Sequence, residues 1–443
     1  MRAFWGHPAR LVTLAFAAAV VVGTALLMLP VSRTPGSPAD LMVAAFTTVS
    51  AVCVTGLVTV DTATYWTPFG QGVILTLIHL GGVGVMALAT LLTLAVRGRL
   101  GLRRTLVAQA ETHTSALGDV RRVLLRVVVI MLLVETVIAA VLTVRFRLAY
   151  VDTWPSALWQ GVFHAGSSFN NAGFALWTDN LIPFVADPWV ILPICAAVVL
   201  GGLGFPVLRE LRRRWRTPSL WSLHTKITVL GTVLLLVVGT VTFWAFEAFG
   251  DGTLSGLDLG GQAIGSVAGG VFPRTAGFNA VDYGQVRDET EAVTTVLMFI
   301  GGGSAGTAGG IKVTTFFILG FVILAEIRGE PDVSIGKRRI GSAVQRQALT
   351  VALLAVGLVA VSIVLVMMVT DLEAIDVSFE VVSAFATVGL STGITADLPP
   401  TAQVILMVLM FIGRVGSITV ASALAVNTRH RHYRLPEERP IVG

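Results

Sequence analysis

Four short stretches of the chain end in glycine, and small or neutral residues precede it. They read CVTG, NNAG, RTAG and ATVG, and one lies in each quarter of the sequence. Glycine lets the backbone turn so that neighbouring carbonyl groups point in one direction. A ring of such carbonyls can replace the water around a monovalent cation. The residues of this candidate filter are Val54, Thr55, Gly56, Asn171, Ala172, Gly173, Thr275, Ala276, Gly277, Thr387, Val388 and Gly389.

The side chains of these tetrapeptides favour a monovalent cation over a divalent one. Divalent cations such as Ca²⁺ are usually bound by carboxylates, and the four tetrapeptides contain no Asp or Glu. Their one charged residue is Arg274. Alternatively, the glycines could let two helices pack closely, as small residues do in membranes. That alternative explains glycines within a span, but not glycines that end a short preceding helix.

A second glycine motif follows each tetrapeptide at a nearly constant distance. It reads LGGVG at 80–84, LGGLG at 200–204, IGGGS at 300–304 and IGRVG at 412–416. The third copy continues into a glycine-rich stretch, and each glycine weakens a helix by about 1 kcal/mol relative to alanine. This copy therefore predicts two half-helices joined by a loop at 301–312. The other three copies are expected to continue as helix.

Two cationic residues lie in these motifs. A charge inside a span is a functional-site hypothesis by default. Arg414, in the fourth copy, would oppose cation passage below the filter or hold the loop through its carbonyls. Lys312 is expected to anchor the end of the loop toward the cytoplasm. As an alternative, each could snorkel to the interface or pair with an acid within a span, such as Glu135 or Glu247.

The elements that position these motifs occur four times along the chain. Each unit has a first apolar span, a short segment that ends at the filter tetrapeptide, and a second span. The first spans are predicted at 11–29, 123–144, 227–246 and 348–370, the short segments at 39–50, 155–168, 259–270 and 376–386, and the second spans at 73–95, 189–208, 293–325 and 403–426. The units are 1–98, 99–216, 217–328 and 329–428, followed by a basic tail at 429–443.

The short segments are too short to cross a bilayer as helices, and they are therefore predicted to be re-entrant pore helices. Irregular backbone at membrane depth must be buried in protein or line a water-filled cavity. Four such turns in one chain predict an all-α polytopic membrane protein. In this fold, four span–pore-helix–span units form a pseudo-fourfold arrangement around one central pore.

Composition and charge distribution also indicate a membrane protein. Of the 443 residues, 54% are hydrophobic and only 13% are charged, against about 25% charged in a typical soluble domain. Most Lys and Arg residues lie near the N-terminus and in the segments 97–126, 209–226, 326–346 and 429–443. The positive-inside rule then predicts cytoplasmic N- and C-termini. The run RELRRRWR at 209–216 is expected to face anionic lipid rather than nucleic acid.

The motifs together resemble the Trk/Ktr/HKT superfamily of K⁺ transporters, which contains bacterial Trk and Ktr membrane subunits and plant and fungal relatives. The resemblance rests on NNAGF at 170–174, RTAGFN at 274–279, SAFATVGLSTG at 383–393 and the GGGSAGTAGGIK loop, and it covers essentially the whole chain. With eight spans and no additional N-terminal hairpin, the chain looks more like a Ktr than a Trk subunit. In the plant relatives, a serine at the first filter glycine accompanies Na⁺ permeation. The resemblance therefore implies K⁺ selectivity for a chain with Gly56.

The resemblance also implies that the glycine-rich loop is a gate, which blocks the pore and moves on activation. The gate residues are Gly301, Gly302, Gly303, Ser304, Gly306, Thr307, Gly309, Gly310, Lys312 and Arg414. The implied assembly is a homodimer in the bacterial inner membrane. It sits on a cytoplasmic ring of nucleotide-binding (RCK, KtrA- or TrkA-like) regulatory subunits. K⁺ is the expected ion, Na⁺ is a candidate activator, and nucleotide would act only through the partner, with no covalent cofactor.

Other function classes are alternatives. An alternating-access transporter coupled to Na⁺ or H⁺ often has inverted repeats and broken helices at the midplane. One broken helix is predicted here, but the four units run in the same direction. A Na⁺-permeable member of the superfamily is a second alternative. A membrane enzyme would need clustered catalytic groups, whereas the spans hold only isolated Glu135, Glu247, His79 and Arg414, so no enzyme activity is expected.

Overall fold

The computed structural model describes residues 8–100, 116–336 and 338–416, with side chains described over 13–84, 125–336 and 338–416. This part of the chain is mostly helical. Its helices are α1 Pro8–Leu27, α2 Leu41–Cys53, α3 Thr62–Tyr65, α4 Pro68–Leu100, α5 Ala116–Ala149, α6 Trp154–Phe169, α7 Pro188–Leu203, α8 Phe205–Arg214, α9 Leu223–Glu247, α10 Leu259–Val271, α11 Asp288–Phe299, α12 Val313–Ile327, α13 Ser342–Met367, α14 Ala374–Ala386 and α15 Pro400–Phe411. Short 3-10 turns lie at Pro30–Ser32, Ile182–Phe184, Pro218–Leu220 and Ile394–Ala396, and a π-helical turn at Ile412–Gly416 follows α15.

Long apolar helices form the outside of the molecule. Leu133 on α5, Leu230 on α9 and Leu353 on α13 are each more than 60% exposed. Among the described residues, three helices are long and apolar enough to cross a membrane unbroken: Leu125–Ala149, Leu223–Glu247 and Ser342–Met367. The bent pair α7 and α8 is a fourth candidate. Apolar surface facing outward is the pattern expected of helices that contact lipid.

Four short helices, α2, α6, α10 and α14, lie in the protein interior. Most of their side chains are buried, including Phe46, Phe163 and Phe379. Asp40 caps the start of α2 by accepting a hydrogen bond from Met42 N, and Asp258 caps α10 in the same way. Such caps satisfy N–H groups that have no partner within the helix. Two of the short helices, α2 and α10, therefore begin at polar caps, and a glycine-containing turn follows each of the four.

The second span of the second unit differs from the prediction of a continuous helix at 189–208. Helix α7 ends at Leu203, α8 starts at Phe205, and the two axes meet at 102°. Between them, Gly204 has φ +89° and ψ 145°, a conformation that residues with a Cβ rarely adopt. The first copy of the motif does continue as helix within α4, and the fourth becomes a π-helical turn.

A small β-hairpin also departs from the all-α prediction. Strands β1, Ser334–Ile335, and β2, Arg338–Arg339, pair antiparallel between α12 and α13. The connecting turn uses Gly336 at φ +59°, a conformation typical of tight hairpin turns. Several predicted features lie outside the described residues. They are the basic tail at 429–443, the end of the last span at 403–426, residues 101–115 of the basic segment 97–126, and the N-terminal residues 1–7.

Candidate functional site

The four filter tetrapeptides share one backbone conformation. In each, a residue with positive φ is followed, two positions later, by the glycine, also with positive φ. The pairs are Val54 (57°) and Gly56 (100°), Asn171 (60°) and Gly173 (69°), Thr275 (69°) and Gly277 (72°), and Thr387 (50°) and Gly389 (96°). Residues with a Cβ disfavour this region, and therefore four repetitions of it indicate one shared structural requirement.

The four turns contact one another in chain order and close into a cycle. A Cβ added to Gly56 would clash with Ala172 O, and one added to Gly173 would lie 2.6 Å from Gly277 C. A Cβ on Gly277 would in turn meet Val388 O, and one on Gly389 would meet Thr55 O. Backbone from all four units therefore converges at one place, with no room for side chains at the four glycines.

Most carbonyl groups in these turns lack a donor. Within the described part of the chain, no N–H or O–H group donates to the filter carbonyls, except Asn180 Nδ2, which lies 3.5 Å from Gly173 O. The side chains of Val54, Thr55, Ala172 and Thr275 are fully buried. Buried backbone oxygens are almost always paired. A cluster of unpaired ones is suited to binding a cation.

Hydroxyl groups behind the turns hold two of the filter glycines. Gly56 N donates to Ser50 Oγ at 3.0 Å, and Gly389 N donates to Ser383 Oγ at 3.1 Å. Sequence reasoning missed both serines, although each lies six residues before its glycine. Ser167 has the same spacing before Gly173, but its hydroxyl has no partner among the described residues.

Buried Glu380 is another missed residue. Its carboxylate accepts hydrogen bonds from Ser391 Oγ and from Thr395 Oγ1, the latter at 2.9 Å. Both donors follow the fourth turn, so Glu380 attaches the backbone after this turn to α14. In the second unit, His164 occupies the corresponding position, and its Nε2 accepts from Leu176 N at 3.3 Å.

The second glycine motif packs against the ends of the short helices. A Cβ on Gly81 would clash with Val52 O, one on Gly201 with Phe169 O, and one on Gly413 with Phe385 O. The third unit differs, because a Cβ on Gly301 would instead clash with Gly309 O of its own loop. The small residues of the motif therefore let α4, α7 and the π-helical turn after α15 approach the last carbonyl groups of the short helices.

We expect Gly413→Ala to destabilise the protein by about 1–3 kcal/mol, because its Cβ would overpack the Phe385 carbonyl. Gly357→Ala is the matched control, since an added Cβ there meets nothing within 4 Å. Alanine at this helical position should be neutral or stabilising by up to about 1 kcal/mol. Thermal unfolding in detergent measures the difference. Equal melting temperatures for the two variants would contradict the packing role.

The glycine-rich loop is an interruption between two helices. Helix α11 ends at Phe299 and α12 begins at Val313. The two ends of the loop pair with each other, since Gly301 N donates to Ile311 O at 2.8 Å and Ile311 N donates to Phe299 O at 3.3 Å. These two hydrogen bonds form a stem that closes the loop, and the middle of the loop extends toward other units.

The middle of the loop contacts the second unit and the filter turns. Gly303 N donates to Gly202 O at 2.8 Å, and Thr307 N donates to Gly201 O at 3.1 Å. Thr307 Oγ1 shares a hydrogen bond of 2.9 Å with the side-chain amide of Asn171. A Cβ on Gly309 would clash with the hydroxyl of Thr387. The loop therefore packs directly against the second and fourth turns.

Three cationic side chains donate to carbonyl groups of the loop. Arg414 donates to Thr307 O and, at 3.4 Å, to Gly81 O. Arg274 Nη2 donates to Gly301 O at 2.8 Å. Lys312 Nζ donates to Ala308 O at 2.5 Å and to Gly309 O at 3.2 Å. Arg414, which belongs to the fourth unit, thus links the loop to α4.

Among the described residues, neither Arg414 nor Lys312 forms an ion pair with an acid in a span. Glu135 instead lies 3.1 Å from His79 Nε2 and accepts a hydrogen bond from Asn170. Glu247 accepts hydrogen bonds from the backbone and hydroxyl of Thr253 and from the hydroxyl of Thr290. Each acid already has other partners, so the cations bind backbone oxygens.

The structure therefore brings the predicted filter and loop residues into one region. The described residues contain no group of three or more His, Cys, Asp or Glu side chains that could hold a metal ion. Cys53 and Cys195 are buried free thiols. Backbone carbonyl oxygens, together with the hydroxyls of Thr55 and Thr387, which are unpaired within the described part of the structure, are therefore the groups that the turns offer to an ion.

Comparison with known proteins gives a consistent result. A family model described as "TrkH: Cation transport protein" matches residues 7–432. The chain is 37% identical to Ktr system potassium uptake protein B of Bacillus subtilis (strain 168), over 98% of this chain and 97% of the relative. It is 33% identical to potassium/sodium uptake protein NtpJ of Enterococcus hirae, over 98% and 97% of the two chains.

A solved structure has the same fold. The crystal structure of the potassium transporter TrkH from Vibrio parahaemolyticus superimposes with a TM-score of 0.70, at 18% sequence identity. The match covers 93% of this chain and 83% of that one. The family consists of cation transporters and not of enzymes. This helical membrane protein belongs to the TrkH/Ktr family of cation transport proteins.

Proposed function

We propose that the chain is the K⁺-selective, ion-translocating subunit of a bacterial Trk/Ktr-type potassium uptake system. In this proposal, the four units 1–98, 99–216, 217–328 and 329–428 surround one central pore with pseudo-fourfold symmetry. The observation that carries the proposal is the closed cycle of four turns with buried, unpaired carbonyl groups. Conduction is channel-like, because carbonyl oxygens can pass a dehydrated ion from site to site.

Two further observations favour K⁺ as the ion. The filter turns carry no carboxylate, and so they offer the neutral oxygens that suit a large monovalent cation. The similar Bacillus subtilis protein is named as a potassium uptake protein. The relative from Enterococcus hirae is named for both potassium and sodium, so the uptake test below includes Na⁺ as a competitor.

The loop at 301–312 is proposed to be the gate of this pore. It contacts the second and fourth turns through Thr307 and Gly309. Arg414 donates to Thr307 O of the loop and places a positive charge beside the same region. A cation in the ion path would be repelled by that charge. Activation would then require the loop and Arg414 to separate from the turns.

The remaining parts of the proposal concern assembly and location. The chain is proposed to form a homodimer in the bacterial inner membrane, with both termini cytoplasmic, and to be controlled by a cytoplasmic nucleotide-binding ring. The basic segments between units support this orientation through the positive-inside rule. Na⁺ is proposed as an activator and not as a resident cofactor.

Uptake of ⁸⁶Rb⁺ and ²²Na⁺ into proteoliposomes of the purified protein tests this function. A K⁺-selective pore should take up ⁸⁶Rb⁺ down its gradient, with K⁺ competing at least about tenfold better than Na⁺. Comparable ²²Na⁺ uptake would indicate a Na⁺-permeable pore instead. Absolute dependence on an imposed Na⁺ or H⁺ gradient would indicate alternating access, a mechanism that broken helices also serve.

Arg414→Ala is expected to raise basal ⁸⁶Rb⁺ flux by about tenfold, because it removes a positive charge from the proposed ion path. It also removes the hydrogen bonds to Thr307 O and Gly81 O. Uptake in cells lacking other K⁺ systems gives an independent measurement. Arg346→Ala, which removes an exposed arginine of α13, is the control. Unchanged or lower flux in Arg414→Ala would contradict the gating role of the arginine.

A further inference from the structure

Helix α8 and the residues after it carry a dense run of positive charge. Arg209, Arg212, Arg213, Arg214 and Arg216 are all exposed. The acid in this run, Glu210, is already engaged. Its carboxylate accepts hydrogen bonds from Ser222 Oγ at 2.6 Å and Thr225 Oγ1 at 2.5 Å. The arginines therefore form an exposed basic surface, and Glu210 anchors α8 to the start of α9.

Apolar side chains accompany this basic surface. Trp215 is 64% exposed and Leu220 is 60% exposed. The Arg216 guanidinium lies 4.7 Å from the centre of the Trp215 ring. Tryptophan is enriched where a membrane meets water. A short amphipathic helix with arginine on one face and apolar groups beside it is typical of segments that lie in that interface.

The start of the same helix is attached to the glycine-rich loop. Phe205 N donates to Ala305 O at 3.4 Å, and Gly202 O accepts from Gly303 N at 2.8 Å. A Cβ on Gly204 would lie 2.5 Å from Ser304 O. Because the loop packs against the bend between α7 and α8, α8 cannot tilt without moving loop backbone.

We propose that α8 binds the phosphate headgroups of anionic membrane lipids, and that this binding holds the glycine-rich loop in the docked position. Arginine guanidinium groups pair well with phosphate oxygens, and polybasic juxtamembrane segments favour anionic bilayers. Exposed Trp215 and Leu220 favour a lipid surface over a soluble acidic protein as the occupant. The inference rests on the proposed gate, and it adds lipid composition as an input to that gate.

Lipid binding can be measured without measuring transport. A fluorophore attached to Ser219→Cys reports on this surface, since Ser219 is exposed and the two native cysteines are buried. In nanodiscs, brominated phosphatidylglycerol should quench it more strongly than brominated phosphatidylcholine. The triple variant Arg212→Gln, Arg213→Gln, Arg214→Gln should weaken that preference by roughly fivefold for each arginine removed.

Transport is then measured in liposomes of the same two lipids. Basal ⁸⁶Rb⁺ flux through the unmodified chain should be on the order of fivefold lower in phosphatidylglycerol-rich liposomes than in phosphatidylcholine. The triple variant should have the same, higher flux in both. A matched control, Arg328→Gln, Arg338→Gln, Arg339→Gln, removes three exposed charges near the hairpin. It should keep both the quenching preference and the flux difference.

Two results would overturn the inference. One is equal quenching by the two lipids, or a preference that survives in the triple variant. The other is K⁺-selective flux that does not depend on anionic lipid, because it would separate α8 from the gate. Absence of ⁸⁶Rb⁺ flux in every lipid would instead contradict the proposed function, and the quenching result would still decide lipid binding.

Discussion

Gly389→Ala is expected to lower K⁺ flux on the order of a hundredfold. The residue has φ +96°, and an added Cβ would clash with Thr55 O of the neighbouring turn. Left-handed backbone costs a residue with a Cβ about 1–2 kcal/mol. The clash would also displace the Thr55 carbonyl, which is proposed to bind the ion. Uptake of ⁸⁶Rb⁺ into proteoliposomes, normalised to the amount of inserted protein, measures the loss.

Gly393→Ala provides a closely matched control. Gly393 has φ +103°, but an added Cβ there meets nothing within 4 Å. Both variants carry the same kind of backbone strain, and only Gly389 contacts another filter turn. Gly393→Ala should therefore keep most of its flux. If both variants lose flux equally, strain alone explains the result, and the contact between turns is not needed for conduction.

Deletion of residues 303–309 is expected to raise basal K⁺ flux by more than about tenfold while leaving K⁺ over Na⁺ selectivity unchanged. The deletion removes Thr307, with its bonds to Asn171 and Arg414. It keeps the stem, in which Gly301 N donates to Ile311 O. A Cβ on Gly301 would lie 3.3 Å from Gly310 Cα, so the two strands of the stem lie close together beside the deleted residues.

The result of the deletion distinguishes a gate from a scaffold. Flux measured with ⁸⁶Rb⁺ and competition by Na⁺ should be determined on the same preparation. Thr307→Val is the control, because it preserves loop length and the backbone contacts and removes only the hydroxyl that pairs with Asn171. A closed or unselective deletion variant would show that the loop supports the filter structure and does not block the pore.

Much of the fold could be predicted because particular residue types mark where its short helices end. The short segment predicted at 259–270 is the helix Leu259–Val271, and the one predicted at 376–386 is Ala374–Ala386. Asp258 caps the first of these, and a glycine turn follows each. Repetition of the motifs also indicated the family, which the comparisons confirm. The proposed roles of the filter and loop remain predictions.

The bend at Gly204 was not predicted, although the sequence carries a local signal for it. Pro206 follows LGGLG, and a proline inside a helical pattern ends or kinks the helix. No proline follows LGGVG at 80–84, and that copy remains helical. Ser304 O and Ala305 of the loop occupy the space beside Gly204, and that contact joins residues that are distant in sequence.

One of the two roles predicted for Arg414 was to hold the loop through its carbonyls, and its hydrogen bond to Thr307 O is a contact of that kind. The partners of Lys312, Ala308 O and Gly309 O, were not predicted. Any residue can supply a backbone carbonyl oxygen, whereas a carboxylate is recognised in the sequence by its residue type.

The closed cycle of turns has a consequence for how the ion path can change during evolution. In an assembly of four identical chains, one mutation appears at all four positions around the axis. Here a single gene encodes each turn separately, and the supports already differ: Ser50 and Ser383 hold two of the glycines, and Val271 stands at the equivalent place in the third unit. The affinity of the proposed filter for an ion can therefore change at one turn while the other three turns stay as they are.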